Sequence, residues 1–432
     1  MGSGLSVEEN SMLYVDAHGA LGLKETYVAP LEASMDLDIK RPLVTKEHEA
    51  LIHKHWAVVC RGTSAFQKEK HLTPTKFFAS TFYATLFKAA PGVRPMFRSS
   101  MTVQGKALTG LVATLATVIK ANNVAEVCIN LARMHAQYGA TRAHYTGVGL
   151  ALLETLQAVS ANEWSTEIRT AYLTSYCLLY YLMLPTIIET PRRPLQPSLP
   201  GHIARKERLA HGVMKLSIAL DFPLRYHAGD SILLGLPLPN GEEVRRSYAL
   251  TSLFDPSHTN AIDICVEARG DASQWLVDAP IETVLNVYWI NTGVHFETDT
   301  FTSIPHRLLF VSHGLGAAPV YAMVKGLYAI RSQYEGDICM LQVFEESPIP
   351  YFQSVCSDGP WSSLKIATAT TLTQEALLEL APDVATRHLY VAGPPAFVDA
   401  TSRLFLENGG DAQNLVVYSF DNTPFLADAA SV

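Results

Sequence analysis

Residues 191–201 read PRRPLQPSLPG, and the pattern of the chain differs on the two sides of this stretch. A proline recurs at every third position, at Pro191, Pro194, Pro197 and Pro200. Proline fixes φ and cannot continue a helix, so such a stretch favours a stiff, extended connection. We therefore predict that residues 191–200 are a linker between two parts of the chain that fold differently.

The part before the linker is predicted to be almost entirely helical. Between residues 43 and 190, long segments with helical apolar periodicity are separated by breaks such as AAPGVRP. The longest uncharged run, AYLTSYCLLYYLMLPTII (171–188), contains Thr, Ser, four Tyr and a Pro. We interpret it as a buried helix and not as a transmembrane segment. Residues 1–42 show no clear period and are predicted to be a flexible extension.

Two kinds of β structure are predicted after the linker. Residues 201–304 contain short alternating runs separated by turn residues, including the hairpin-type turn PNGEE, which is typical of a small antiparallel barrel. In residues 305–432, strands such as RLLFVSHG and HLYVAGP alternate with helical segments, which predicts a parallel sheet. The predicted fold class is multi-domain: all-α, then an antiparallel β-barrel, then an α/β domain with a parallel sheet.

Composition limits the classes of partner and compartment. The chain has 432 residues, 48% of them hydrophobic and 17% charged, which is typical of a soluble globular protein. Its net charge of -8 gives no electrostatic reason to expect nucleic acid or an acidic membrane surface as a partner. Six scattered cysteines without a CxxC pair suit a reducing compartment, so we predict a cytoplasmic location. The start MGSGLS also matches a myristoylation pattern at Gly2, which would give weak membrane association.

Three glycine- or arginine-containing motifs occur in the C-terminal part: RRSYALTS (245–252), VSHGLGAAP (311–319) and YVAGPPAF (390–397). In the second, Gly314 and Gly316 would allow a phosphate to approach backbone N–H groups at a helix N-terminus. A G-x-G by itself fits an ordinary strand-to-helix turn equally well. In this order, however, the three motifs resemble those of the ferredoxin-reductase-like superfamily.

That resemblance implies that the barrel binds FAD and that the α/β domain binds NADH, with NADPH as the alternative. Arg246 would bind a flavin phosphate, Tyr248 would pack on the isoalloxazine ring next to Ala249, and Phe420 would cover the flavin. The other implied cofactor-binding residues lie in the loop GDASQWL and in the two nucleotide loops: Gly270, Ala272, Ser273, Gly314, Gly316, Pro319, Gly393 and Pro394.

The chain departs from the family pattern at four of its positions. Ala249 replaces the serine of R-x-Y-S, and Ala392 replaces the cysteine of C-G-P. Asp421 and Asn422 replace the glycine and proline that usually follow the C-terminal aromatic residue. These losses predict slower hydride transfer. The acidic FEES (344–347) would repel a 2′-phosphate, which favours NADH.

The helical part contains LARMHAQYGATRAHYTG (131–147), in which His135 shares an apolar helix face with Cys128 and Leu131. Such an imidazole is either a hydrogen-bonded core histidine or a ligand of a metal or haem. Together with the reductase motifs, this part resembles the globin domain of flavohaemoglobins, and the resemblance covers residues 43 to 425. It implies a globin that holds haem b, with His135 as the iron ligand. The other residues implied are the distal Tyr83, Gln104 and Leu108, the haem-contacting Phe97, and Tyr145 and Glu189, which would hold His135.

The function implied by the resemblance is nitric oxide dioxygenase activity, in which electrons pass from NADH through FAD to the haem iron and NO and O₂ become nitrate. O₂ and NO are then the expected partners, with no nucleic acid. Two alternatives stay open: an NADH-dependent haem or flavin reductase or peroxidase with another acceptor, and a haem-based gas or redox sensor with slow turnover.

Overall fold

The computed structural model describes residues 9–67, 73–121, 123–191, 194–210, 212–255, 260–291, 294–356 and 359–419. Gly2, Phe420, Asp421 and Asn422, which were singled out from the sequence, lie outside these ranges. The chain divides into two compact units. Within the described ranges, the first contains residues 9–97 and 102–197, and the second contains residues 98–101 and 198–419.

The first unit is helical. Its longer helices begin at side chains that cap the helix: Thr45, Thr73 and Ser165 each accept a hydrogen bond from the backbone N–H three residues further on. The helices are α1 (Glu9–Met12), α2 (Glu25–Val28), α3 (Lys46–Arg61), α4 (Pro74–Ala89), α5 (Met101–Leu115), α6 (Val124–Gln137), α7 (Arg142–Ser160) and α8 (Thr166–Glu189).

Helix α8 forms the centre of this unit. By length and composition it could cross a membrane, but 78% of its most apolar window is buried inside the protein. Every residue from Ala171 to Leu184 is buried. Core helices are apolar on all sides when neighbouring elements surround them. The predicted buried helix is confirmed over residues 171–184, whereas Ile188 is 51% exposed.

The segment before α3 differs from the expectation of a flexible extension. From residue 9 onward it is folded, and strands β1 (Leu13–Val15), β2 (Leu21–Leu23) and β3 (Leu43–Val44) form a small antiparallel sheet. Leu13, Leu21 and Val44 are at most 2% exposed. The Tyr27 hydroxyl donates to the carbonyl of Tyr181 in α8 over 2.9 Å. These strands are two or three residues long, which is too short to produce a readable period in the sequence.

The first part of the second unit is an antiparallel barrel. Its strands are β4 (Leu199–Ala210), β5 (Val213–Leu220), β6 (Ser231–Pro237), β7 (Glu243–Ala249), β8 (Ala261–Glu267) and β9 (Val284–Asn291), in the order β7-β6-β9-β4-β5-β8. A bridge between Leu250 and Ile264 brings the two ends of this order together and closes the barrel. The short helix α9 (Asp271–Asp278) follows β8.

The second part of this unit is a parallel five-stranded sheet with helices between its strands. The strands are β10 (Arg307–His313), β11 (Asp337–Val343), β12 (Leu364–Ala369), β13 (His388–Gly393) and β14 (Leu415–Ser419), and the helices are α10 (Ala317–Ala329), α11 (Gln374–Leu380) and α12 (Pro395–Glu407). Their order, β12-β11-β10-β13-β14, reverses direction at β10. Ligands of such sheets bind where the order reverses, beyond the carboxyl ends of the strands. The predicted fold class is therefore confirmed.

Candidate functional site

His135 lies in the last turn of α6 and is held by a tyrosine. Its Nδ1 is 3.0 Å from the Tyr145 hydroxyl, in the second turn of α7. Burial lowers the pKa of the imidazole, which favours the neutral ring. Among the described residues, Nε2 has no hydrogen-bonding partner. A neutral imidazole with one oriented and one open nitrogen can donate an electron pair to a metal.

Tyr145 is itself fixed by two tyrosines of α8 that the sequence did not identify. The Tyr176 hydroxyl donates to the Tyr145 carbonyl over 2.7 Å. The Tyr180 ring stacks on the Tyr145 ring, with centroids 5.6 Å apart and planes 13° from parallel. Tyr176 and Tyr180 are one helical turn apart, so both reach the same side of α8. This pair holds the residue that orients His135.

Glu189, predicted to hold His135 as well, does not do so in the structure. It is the last residue of α8 and is exposed. No hydrogen bond joins it to His135, whose Nδ1 is occupied by Tyr145. Nine residues separate Glu189 from Tyr180, which corresponds to about 13 Å along a helix axis. The carboxylate is therefore well past the level of α8 at which Tyr145 packs.

Tyr83 is the most buried of the polar side chains predicted for the distal side, at 7% exposed. Its ring packs edge-on against Phe97, with centroids 5.4 Å apart. Burial raises the pKa of its phenol, so the hydroxyl keeps its proton. No described residue accepts a hydrogen bond from it. Without a described acceptor, this hydroxyl is a donor that a ligand can use.

Gln104 and Leu108 lie on α5, which approaches α4 closely at one point. A Cβ at Gly105 would be 3.0 Å from the Cβ of Ala79, so only a small residue fits there. Ala79 is one turn before Tyr83, and Gly105 lies between Gln104 and Leu108 in sequence. Leu108 is buried and Gln104 is half-buried. The structure thus places the predicted distal residues on two adjoining helices.

The nucleotide loops lie at the carboxyl ends of β10 and β13, where the strand order reverses. A short 3₁₀ turn, Gly314–Gly316, joins β10 to α10, and Pro319 lies in the first turn of α10. A Cβ at Gly316 would be 2.2 Å from the Ala392 carbonyl oxygen, so the two loops can meet only if this residue is glycine. Gly393 and Pro394 then lead into α12. The structure brings these predicted residues together.

The described residues predicted to bind flavin lie on β7 and at the start of α9. Arg246 is exposed and its guanidinium donates to the Arg245 carbonyl; no described carboxylate pairs with it. The neighbouring Arg245, by contrast, bonds Glu243 over 3.0 Å. Burial raises the pKa of Tyr248 to about 12.

The predicted phosphate loop is already ordered by its own serine. The Ser273 hydroxyl accepts from the N–H groups of Arg269 and Gly270, and Ala272 lies in the first turn of α9. Ala249, half-buried at the end of β7, lies opposite Ser231. The helix α9 that starts here also carries Asp271 in its first turn.

A cavity of about 310 Å³ lies beside the nucleotide loop. Gly314, Glu345 and Glu346, which the sequence analysis singled out, line it, and so do His313 and Arg269, which the sequence did not identify. Each of these two is adjacent to a motif glycine, at 314 and 270. Their positions, at the end of β10 and in the loop before α9, gave no sign of which cavity they would reach.

No family model matches this chain. Among solved structures it is similar to a flavohemoglobin from Malassezia yamatoensis with bound FAD and heme, at 16% identity and a TM-score of 0.45, over 88% of this chain and 100% of that one. It is also similar to the FAD/NAD binding domain of nitric oxide dioxygenase from Vibrio cholerae O1 biovar El Tor, at 14% identity and a TM-score of 0.43, over 52% and 99% of the two chains. A third is the cytochrome b5 reductase domain of Ulva prolifera nitrate reductase, at 15% identity and a TM-score of 0.43, over 52% and 98%. Likenesses at these TM-scores and identities assign neither a cofactor nor a substrate to this chain.

Proposed function

We propose that this chain is an NAD(P)H-dependent flavin and haem oxidoreductase that acts as a nitric oxide dioxygenase. The observation that carries the proposal is the state of His135. Tyr145 orients one ring nitrogen, burial keeps the ring neutral, and the other nitrogen has no described protein partner. Histidine is the usual proximal ligand of haem in globins.

The described residues fit a haem on two independent counts. The open Nε2 of His135 is the donor that the iron needs, and the Tyr83 hydroxyl is a donor without a described acceptor. When bound, haem would supply the redox-active iron for the reaction of O₂ with NO, and FAD would supply its electrons. The chain's own part is to bind and orient. Tyr83 would donate a hydrogen bond to a partly negative ligand, and the apolar residues around it would exclude water.

The tautomer of His135 follows from its role. For Nε2 to carry the free electron pair, Nδ1 must carry the proton and donate it to the Tyr145 oxygen. A phenol oxygen is a weaker acceptor than a carboxylate, so Tyr145 makes the ring less electron-rich than a carboxylate would. We therefore expect a moderately donating ligand whose orientation depends on the contacts of Tyr145 with α8.

The second unit supports the flavin and nucleotide part of the proposal. Arg246, without a described acidic partner, would bind a flavin phosphate, and the Gly314–Gly316 turn would receive the pyrophosphate of NADH. Ala249 and Ala392 present only methyl groups where the related motifs carry a hydroxyl and a thiol. Ala392 is buried, at 2% exposed.

This loss favours a second candidate function, an NADH-dependent reductase or peroxidase with an acceptor other than NO. A slow supply of hydride suffices for an acceptor that arrives rarely. The residues that bind the cofactors would be the same, and only the acceptor would differ.

The test uses the full chain, expressed with ample haem and riboflavin. The absorption spectrum should show both chromophores, and NADH should reduce the flavin and then the haem. His135→Ala should lose the haem band and keep the flavin, whereas the control His53→Ala, at an exposed position of α3, should keep both. Haem retained in His135→Ala would remove the ligand assignment. NADH oxidation that is unchanged by NO in the presence of O₂ would favour the second candidate.

A further inference from the structure

The second unit includes a short segment that ends at the start of α5, far before the barrel in sequence. The N–H of Ser100 donates to the carbonyl of Arg225 over 2.9 Å, and the Ser99 hydroxyl accepts from the N–H of Arg225 over 3.0 Å. Arg225 lies in the loop between β5 and β6. The carbonyl of Arg98 accepts from the N–H of Ile290, in β9, over 2.7 Å. The segment is therefore bonded to two different parts of the barrel.

The Arg98 side chain bonds β9 at an irregularity of that strand. It is 7% exposed, and one of its guanidinium nitrogens is 2.9 Å from the Tyr288 carbonyl oxygen and 3.3 Å from the Val287 carbonyl oxygen. The register of β9 against β6 shifts between Ile232 and Leu234, and among the described residues Tyr288 has no pairing partner in β4 or β6. A bulge of this kind leaves backbone groups without a ladder partner. Because a buried carbonyl needs a donor, Arg98 stabilises the bulge.

Tyr288 also connects β9 to β7. Its hydroxyl donates to Glu243 of β7, and the Arg245 guanidinium lies over its ring, 4.2 Å from the centroid. Strand β6 lies between β7 and β9, and the side chains can cross it because residue 235 is glycine. A Cβ at Gly235 would be 2.6 Å from Oε2 of Glu243 and 2.9 Å from Cε2 of Tyr288. The residue whose carbonyl Arg98 bonds therefore also holds the strand on which two predicted flavin residues lie.

The pairing of the strands aligns this bulge with the predicted flavin residues. Ile232 of β6 lies opposite Ile290 on one side and opposite Tyr248 on the other. Neighbouring strands are about 4.8 Å apart, so Tyr248 lies about 10 Å from the backbone that Arg98 bonds. Arg246 lies two residues before Tyr248, on the same face of β7. A shift of β9 at its bulge would also displace the row that contains Tyr248.

We propose that Arg98 is a positioning residue for the flavin, an inference that rests on the flavin-binding role proposed above for Arg246 and Tyr248. Arg98 fixes β9 at its bulge, and Tyr288 fixes β7 to β9. Strand β7 then presents Arg246 and Tyr248 to the cofactor. The flavin site is thus incomplete without a segment that precedes the linker in sequence.

The experiment measures the dissociation constant for FAD by equilibrium dialysis of the flavin-depleted full chain. The variants are Arg98→Gln, Arg98→Lys, Tyr288→Phe and the double variant Arg98→Gln/Tyr288→Phe. Tyr288→Phe removes the hydroxyl that bonds β7 and keeps the carbonyl that Arg98 bonds. Arg225→Gln is the matched control, because this exposed arginine meets the same segment through its backbone N–H and carbonyl.

Arg98→Gln should weaken FAD binding about tenfold, which corresponds to ~1.4 kcal/mol, and Tyr288→Phe should weaken it less. Arg98→Lys keeps the charge and a donor but not the planar fork, so it should recover part of the affinity. The double variant should bind FAD about as well as Arg98→Gln, because the two residues act along one path. At saturating FAD, the visible circular dichroism of the bound flavin should change in Arg98→Gln and return toward wild type in Arg98→Lys. A general loss of stability would not change that signal.

Equal FAD affinity in wild type and in folded Arg98→Gln would overturn the proposal, as would a double variant in which the two single effects multiply. If Arg98→Gln does not fold, Arg98→Lys and Tyr288→Phe decide the question, and wild-type affinity in both of them overturns the proposal. Arg225→Gln should bind FAD like wild type, and a loss equal to that of Arg98→Gln would assign the effect to charge alone. A wild-type chain that does not bind FAD would instead remove the flavin-binding role itself, and the inference with it.

Discussion

The two units of this chain build their candidate sites in different ways. In the helical unit, the key atoms are side-chain atoms that other side chains position: His135 is held by Tyr145, and Tyr145 by Tyr176 and Tyr180. In the second unit, the nucleotide edge depends on backbone, because Gly316 and Ala392 approach so closely that no Cβ fits between them. In the helical site, the loss of one polar group should therefore reduce stability and cofactor binding only slightly. In the sheet site, the addition of one carbon atom should reduce both strongly.

The largest expected effect is an acid-dependent loss of stability in the helical unit. It would measure how much a buried, hydrogen-bonded side chain contributes to the free energy of unfolding of that unit. His55 is 4% exposed, with Nδ1 3.1 Å from the Tyr172 hydroxyl and Nε2 2.8 Å from Ser160 Oγ. Burial lowers its pKa to about 4. Between that value and the unfolded pKa of about 6.5, the unfolded chain binds a proton that the folded chain does not. The stabilising contribution of His55 is thus complete above pH ~6.5 and lost as the pH falls toward 4.

Urea unfolding followed by the helical circular-dichroism signal at several pH values tests this prediction. The free energy of unfolding should fall by up to about 1.4 kcal/mol per pH unit within that window. His55→Gln should be less stable than wild type at neutral pH but should have a flatter pH profile. A profile as steep in His55→Gln as in wild type would assign the acid sensitivity to other groups.

The second prediction concerns the sheet site. Gly316→Ala places a Cβ about where the Ala392 carbonyl oxygen now lies, 2.2 Å away, so the two loops must separate. We expect a destabilisation of about 1–3 kcal/mol, as for an overpacked core, and a large loss of affinity for NADH. Gly110→Ala is the matched control, since its Cβ would meet no atom within 4 Å and it lies inside α5. Alanine is the better helix former, so the control should be neutral or stabilising. If Gly316→Ala and Gly110→Ala changed stability and NADH affinity equally, the close approach of the two loops would not limit the residue at position 316.

These two sites also differ in how much of them the sequence could predict. The glycine loops, the order of the domains and the buried helix α8 could be predicted because each is a local pattern. The contacts of Tyr145 with α8 could not, because Tyr176 and Tyr180 lie 31 and 35 residues further on and occur in a run that only indicates burial. Arg269 gave no signal, since nothing in the sequence shows that it lines the same cavity as Gly314 and Glu345. The sheet before α3 was missed because its strands are too short to alternate visibly.

The third prediction addresses the contact that orients His135. Tyr145→Phe removes the hydroxyl from Nδ1 and keeps the ring that stacks on Tyr180. The loss of one such hydrogen bond corresponds to about 1 kcal/mol of stability. We expect haem to bind but with a broadened or shifted absorption band, because the ring can rotate. Tyr172→Phe is the control. It removes the hydroxyl of another α8 tyrosine, which bonds His55 of α3, so it should cost similar stability and leave the spectrum unchanged. Identical spectra for Tyr145→Phe and wild type would show that Tyr145 does not position the ligand.

The smallest expected effect is at Glu189, where the sequence and the structure disagree. The resemblance implies that this carboxylate holds His135, and Glu189→Gln should then shift the haem band as much as Tyr145→Phe does. In the structure Glu189 is exposed at the end of α8, and Tyr145 occupies the nitrogen it would need. An exposed carboxylate without a described partner contributes little to stability, so Glu189→Gln should change the free energy of unfolding by less than about 0.5 kcal/mol and leave the spectrum as it is.

Tyr145 and Glu189 cannot both bond Nδ1 of His135. Comparing Tyr145→Phe with Glu189→Gln under the same haem-loaded conditions therefore shows which of the two residues holds it. A spectral shift confined to Glu189→Gln would mean that haem binding rearranges the end of α8 and that the proximal hydrogen bond passes from the phenol to the carboxylate.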